Sequence, residues 1–461
     1  MTSKRHLWAL LALSVLSGTA TAAVKAGAGS RVVTPDLERF SPVYMAGFGN
    51  NRRAASIHDD LYARCLALQF DTKSDPLVIC GVDSIGIFWE DAERVRELVD
   101  RQLGRHAAVI VAALHDHQAP DTMGLWGPRE GVSGIDEEYN SFLIDRTAEA
   151  AVDAVHSLRP ATLTLARAHP PQLDSFIDDD RPPVVHDAEV LALSAASPEG
   201  PIGTLVNWAN HPETLGSRNK EITADYSGYL RSELEKRLGG VAVFVNGALG
   251  GMQSPLGSKV PDPATGAPAP DNTFRKAEII GRAVADIAAD AVQAAKPVDI
   301  DRYEFREKLI RIPTTNQGFH AAAQAGIYKG RKPMTADFAT TTPVGMVRLL
   351  SGGKAELEIA LVPGELYPEL SVGGIERYSG ADFPDAPEEP AIKKSLMTAP
   401  YRMLFGLADD EIGYLIPKAE WDEKAPWLNG AAHRWYGEVN STGPDAAPGI
   451  IQTLQELLKH P

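Results

Sequence analysis

Cysteine is nearly absent from this chain: 461 residues hold only Cys65 and Cys80. That excludes a small disulfide scaffold and a thiolate metal cluster, each of which needs several more. Neither cysteine stands beside a histidine or an Arg/Lys cluster, so a cysteine nucleophile has no support. Positive charge is also short, with 45 Lys and Arg against 61 Asp and Glu. The net charge of −16 and a pI near 5.2 disfavour nucleic acid and anionic membranes as electrostatic partners. Past the N-terminus no long uncharged run occurs, so no integral membrane segment is expected in the mature chain. No Lys-Ser/Thr pair completes a P-loop, and no G-x-S-x-G elbow is found.

What is present begins with a targeting segment. Lys4 and Arg5 precede the apolar run Leu7–Leu16, and Ala20-Thr21-Ala22 offers small residues for cleavage. The run is too short to span a bilayer. Residues 1–22 are therefore expected to be a signal peptide, and the mature protein to be periplasmic or secreted. In such a compartment Cys65 and Cys80, on neighbouring predicted strands, form either a disulfide or two buried thiols.

The rest reads as an α/β protein, a mixed-sheet core with flanking helices. Alternation or apolar character predicts strands over 61–70, 77–87, 107–114, 162–168, 190–194, 202–209 and 241–246. Amphipathic periodicity predicts helices over 90–103, 138–158, 224–238 and 275–295. Residues 24–298 form the main part. A smaller second α/β region, 299–461, completes the catalytic domain, with strands over 303–312, 344–350 and 355–362 and a closing helix over 448–458. Residues 317–342 read as a variable stretch, and no internal repeat is visible.

Five segments at strand ends carry groups with chemistry, and strand ends in open α/β sheets are where sites gather. The first is Leu114-His115-Asp116-His117-Gln118-Ala119-Pro120-Asp121, where two histidines leave a buried strand on one side. The second is Asn207-Trp208-Ala209-Asn210-His211-Pro212-Glu213. The third, Asn246-Gly247-Ala248-Leu249-Gly250-Gly251-Met252-Gln253-Ser254-Pro255, is a glycine-rich turn whose amides suit an anion. The fourth is Val362-Pro363-Gly364-Glu365, and the fifth Glu411-Ile412-Gly413-Tyr414.

In this order the five segments resemble the neutral/alkaline, non-lysosomal ceramidase family. The likeness runs from Val24-Lys25-Ala26-Gly27 to Asn440-Ser441-Thr442-Gly443-Pro444 and includes Ile57–Arg64. The resemblance implies a Zn2+ centre and hydrolysis of the amide of ceramide or a related N-acyl amide by attack of zinc-bound water. It implies His115, His211, Glu365 and Tyr414 as metal ligands, and His117, Ser254 and Tyr414 as catalytic residues. Arg181, Gly250 and Gly251 are the expected substrate contacts, the two glycines as oxyanion donors with Tyr414. Two imidazoles and a carboxylate, with a position left for water, suit a catalytic zinc.

The chain departs from the family in places. The larger ceramidases carry a further immunoglobulin-like domain, for which no room follows Tyr414. The family's G-D-x-S-P turn reads Gly251-Met252-Gln253-Ser254-Pro255 here, so its acid is missing, which weakens Ser254 as a nucleophile. The alternatives are an exported amidase or esterase acting on another cell-envelope molecule, and a non-catalytic binding protein on the same scaffold.

Overall fold

The computed structural model describes residues 24–179 and 181–459, so the leader expected over residues 1–22 lies outside them. The architecture is α/β, built from one topological unit used three times. The first unit is β1 (Lys25–Val32), β2 (Tyr62–Gln69), β3 (Leu77–Val82), α1 (Trp89–Leu103), β4 (Ala108–Ala113) and α2 (Glu137–His156). β1, β2 and β3 run antiparallel, and the α1 crossover then brings β4 back parallel to β3. The second unit repeats this with β5 (Thr162–Ala168), β6 (Val190–Ser197), β7 (Gly200–Trp208), α3 (Asp225–Leu238), β8 (Val241–Asn246) and α4 (Phe274–Ala294). In the third, β9 (Arg302–Pro313) is followed by α5 (Gln317–Gln324), β10 (Ala339–Ser351), β11 (Lys354–Leu361) and β12 (Tyr401–Phe405), and α6 (Ala446–Lys459) closes the chain. β11 and β12 are again the parallel pair. A repeat invisible in the residues is thus present in the topology.

The period of two in the strands explains the layering. Leu66 and Leu68 of β2 point into a central core shared by all three sheets, with Ile79, Leu193, Leu205, Val347, Ile359 and Phe405. Cys65 and Ala67 point outward, under α1 and α2. Cys65 stands directly opposite Cys80, with their Cα atoms 4.1 Å apart, and the two form a disulfide. α2 starts where Asp136 accepts hydrogen bonds from the amides of Glu138 and Tyr139, the usual N-cap role of a short acid. α4 is capped in the same way by Thr273.

The three sheets touch at the carboxyl ends of their parallel pairs. The Asn246 amide donates to the Leu114 carbonyl at 2.9 Å, and Gly406 N–H donates to the Asn246 carbonyl at 3.1 Å. Asp409 N–H donates to the Val111 carbonyl at 2.7 Å, while the Asp409 carboxylate accepts from Val111 N–H at 2.9 Å. Buried backbone groups left over at strand ends need such partners. This junction is where the five chemistry-bearing segments emerge.

Candidate metal centre and active site

β4, β7 and β11 each end in a turn that delivers a polar side chain to the junction. His115 follows β4 in the left-handed region, at φ 64. That conformation costs a residue with a β-carbon about 1–3 kcal/mol and marks a position held by its surroundings. His211 follows β7. Glu365 follows β11 and pairs in parallel register with Tyr414, which comes from the loop after β12. His115, His117, His211, Glu365 and Tyr414 are all buried.

The donor atoms converge. Glu365 Oε2 lies 3.0 Å from His211 Nε2 and 3.4 Å from His115 Nε2. The Tyr414 hydroxyl is hydrogen-bonded to Glu365. One ring nitrogen from each of His115, His117 and His211 lies within 4.8 Å of the others. Ligand atoms bound to one zinc at ~2.0–2.2 Å stand about 3.4 Å apart, so this spacing fits an ion.

Hydrogen bonds fix which nitrogen faces the centre. His115 Nδ1 lies 2.7 Å from the Ile85 carbonyl, and His211 Nδ1 lies 2.5 Å from the Gln253 carbonyl. A carbonyl only accepts, so both Nδ1 atoms carry hydrogen and a neutral ring offers a bare Nε2. Yet His211 Nε2 faces a carboxylate oxygen. The contact is satisfied by a second proton or by a cation between nitrogen and oxygen. Histidines that give Nδ1–H to a carbonyl and turn Nε2 toward a carboxylate are arranged as metal ligands are. A buried three-histidine group with Glu365 therefore fits a metal ion.

The electrostatics agree. Burial lowers the His115 pKa. Burial, then His115, His211 and Arg52, holds that of His117 well below the usual imidazole value. Burial works against Glu365 as an anion, but His115 and His211 override it and its pKa is lowered. Burial also opposes charge on His211, and the Glu365 bond with Glu213 and Glu365 charge reverses that. The Tyr414 phenol, buried beside Glu365, is pushed well above its ordinary value.

The remaining expected residues fall in two places. Ser254 accepts a hydrogen bond from Leu256 N–H at 3.0 Å and is hydrogen-bonded to Glu213, which stands 3.3 Å from His117 Nδ1. Gly250 N–H donates to the Leu366 carbonyl at 2.8 Å, so that amide is engaged within the protein; Gly251 follows at φ 70. Arg181 is buried away from the histidines. Its guanidinium grips Glu438 with two bonds, of 2.7 and 2.8 Å, and also reaches the Tyr367 hydroxyl and the Glu420 carbonyl.

Two cavities open on the centre. One has His115, His117, Glu365 and Tyr414 on one side and Phe88, Met123, Leu125, Trp126, Tyr328 and Met334 around it. The other is lined by Phe48, His117, His211, Glu213, Tyr414 and Tyr436.

No family model and no curated protein sequence matches the chain. Solved structures do. Neutral ceramidase from Pseudomonas aeruginosa superposes with a TM-score of 0.69 at 16% identity, over 95% of this chain and 74% of that one. A ceramidase complexed with C2 gives 0.70 at 16% identity, over 95% and 75%. The fold is that of neutral ceramidase. The ceramidase fold accounts for the order of the strand-end segments, but at this identity the likeness reaches the fold alone.

Several residues at the centre escaped the sequence reading. Glu213 and Glu411 lie inside segments already marked, yet an acid in a turn reads as solvated. Tyr436 lines both cavities, and nothing in Trp435-Tyr436-Gly437 resembles a strand end. Arg52, whose guanidinium donates to the His117 and Ala46 carbonyls, follows a Gly/Asn-rich turn with no chemical signature.

Proposed function

We propose that the protein is a zinc-dependent amidase that hydrolyses ceramide or a related N-acyl amide. One observation carries this reading: His115, His117 and Glu365, which cluster with His211, stand on the wall of a largely apolar cavity. Such a lining suits a lipid-like chain, with few polar groups to fix its orientation. The ceramidase fold supports the same substrate class.

His115, His211, Glu365 and Tyr414 are the residues that would hold the ion. When bound, zinc supplies Lewis acidity, polarising a carbonyl and lowering the pKa of water toward ~7. His117 takes the proton from the attacking water and returns it to the leaving amine. Burial keeps its imidazole neutral and able to accept. Tyr414, kept protonated by its buried position, donates its one hydroxyl hydrogen to the Glu365 carboxylate and fixes it beside the two histidines. Ser254, which accepts from Leu256 N–H and bonds to Glu213, serves as a hydrogen-bonding residue rather than the attacking group.

The test is metal analysis of the purified protein together with a panel of N-acyl amides, before and after chelation. Zinc near one equivalent is expected, with amide cleavage lost on chelation, restored by zinc, and abolished with the metal in His211→Ala. Cleavage that survives complete zinc removal overturns the proposal. The same reading places the chain outside the cytoplasm, released from residues 1–22. The Cys65–Cys80 disulfide supports an oxidising compartment, and N-terminal sequencing of the exported protein checks it. Among the described residues no helix is long and apolar enough to cross a membrane.

A further inference from the structure

Glu213, in the turn just past His211, is a partly buried carboxylate, its side chain 12% exposed. It stands between two groups of the site. One carboxylate oxygen is 3.3 Å from His117 Nδ1, and Ser254 is hydrogen-bonded to the same side chain. The backbone ties the pair together as well. His117 N–H donates to the Pro212 carbonyl at 3.1 Å, one residue before Glu213, and Glu213 N–H donates to the His211 carbonyl at 2.9 Å. The turn that carries Glu213 is thus fastened to both histidine segments.

His117 needs such a partner. His115 and His211 each have Nδ1 on a main-chain carbonyl. Neither ring nitrogen of His117 makes an aligned hydrogen bond within the protein, and Glu213 is its ion-pair partner among the described residues. The ring is held on other sides by Gly47 and by the Phe48 ring, whose centroid is 4.9 Å away. Those contacts are apolar and do not choose between tautomers. A carboxylate at Nδ1 does choose: it accepts Nδ1–H and leaves Nε2 as the proton acceptor. The same logic lets an aspartate orient the histidine of a hydrolytic triad.

We infer that Glu213 is the positioning residue for His117: it accepts the Nδ1 proton, turns Nε2 to the reaction centre, and anchors the Ser254 hydroxyl beside it. The inference rests on the reading of His117 as the proton-transfer group. Glu213 acts through His117 and is not itself a catalytic group. A Glu in the turn after β7 thereby supplies a carboxylate to Ser254, whose own turn carries Met252 and Gln253 where the ceramidase pattern has an acid.

Two readouts test it, one of them independent of any substrate. In zinc-loaded protein labelled with 15N-histidine, the His117 resonances are assigned by their loss in His117→Ala. The wild type is expected to show a protonated Nδ1 and a bare Nε2. In Glu213→Ala this preference is lost, while Glu213→Gln, whose amide oxygen still accepts, retains most of it. In turnover of a short-chain N-acylsphingosine, kcat falls about 100-fold in Glu213→Ala and less in Glu213→Gln. KM and zinc content stay at wild-type values. Wild-type tautomer and kcat in Glu213→Ala overturn the inference. So does loss of zinc from Glu213→Gln, which assigns the carboxylate to the metal instead. If the wild type cleaves no amide, the proposed activity fails, and the imidazole signals still decide the role of Glu213.

Discussion

Replacing Gly47 by alanine tests the position of His117 without touching a charge. A β-carbon on Gly47 would lie 2.3 Å from both Cγ and Nδ1 of His117 and 2.7 Å from its Cβ. Non-bonded carbons settle at about 3.5–4.0 Å, so one group must retreat by roughly 1 Å. His117 has little room to do so. The Phe48 ring packs against it, Arg52 holds its carbonyl, and its amide is bonded to Pro212. Gly47 also sits at φ 89, where a residue with a β-carbon costs about 1–2 kcal/mol. Overpacking adds roughly 1–3 kcal/mol, so a stability loss of about 2–5 kcal/mol is expected in urea unfolding. A misplacement near 1 Å in a reacting group costs about 100-fold in rate. None of the three atoms nearest the new methyl belongs to His115, His211 or Glu365, so zinc content should hold. The assay is kcat, KM and zinc stoichiometry of folded Gly47→Ala, alongside His117→Ala and the double variant. The double variant should be no slower than His117→Ala, because the methyl acts through the imidazole. A folded Gly47→Ala with wild-type kcat refutes the reasoning.

Arg181→Ala should leave the buried Glu438 carboxylate unpaired and cost about 3–5 kcal/mol, read as a lower melting temperature with KM unchanged; a raised KM at normal stability would make Arg181 a substrate contact after all. Cys65→Ala/Cys80→Ala removes a cross-link between residues 15 apart, worth about 3 kcal/mol, measured by urea unfolding and matched by reduction of the wild type. Burial raises Asp121 and Asp225 to about 6. The stability these protons confer is fully present below about 3.8 and lost as pH rises through about 6, so Asp225→Asn should reduce the pH dependence of unfolding between those limits.

Strand ends carried most of the information in the sequence. Apolar runs such as Ala108–Ala113, buried throughout, and Val241–Asn246, buried past its first residue, made those strands and their ends plain. The helices Trp89–Leu103 and Phe274–Ala294 fall within a residue of the expected spans. β1 was not legible. Lys25–Val32 is rich in glycine and alanine, poor strand formers. It is a strand because α2 packs directly on it: a β-carbon on Gly27 or Gly29 would lie 2.1 Å from the Ala154 or Ala150 carbonyl oxygen. Only tertiary contact supplies that reason. α5 was likewise read as part of a variable stretch, and its capping by Asn316 becomes visible only with its partners in place. At the site, the histidines were found because imidazole is rare and stands out. Glu213, Arg52 and Tyr436 were missed because their residue types are common in turns, and only proximity to His117 or Tyr414 gives them meaning.

The threefold use of one topology explains why the centre draws on residues from 115 to 414. A parallel pair leaves amides and carbonyls without neighbours at its carboxyl end, and here each pair finds them in another unit. Asn246 of the second serves Leu114 of the first, Asp409 of the third serves Val111 of the first, and Asn207 of the second serves Leu404 of the third. These bonds fix the strand ends, and the site residues leave the chain within a few positions of them. His115 comes from the first unit, His211 from the second, Glu365 and Tyr414 from the third. An ion held by all of them would therefore join all three sheets. Its binding to the folded state alone would add about 4 kcal/mol at a thousandfold excess over Kd. Moving any one unit against the others would break that shell. The rigidity that catalysis needs at the centre and the contact that holds the three units together are then the same set of bonds.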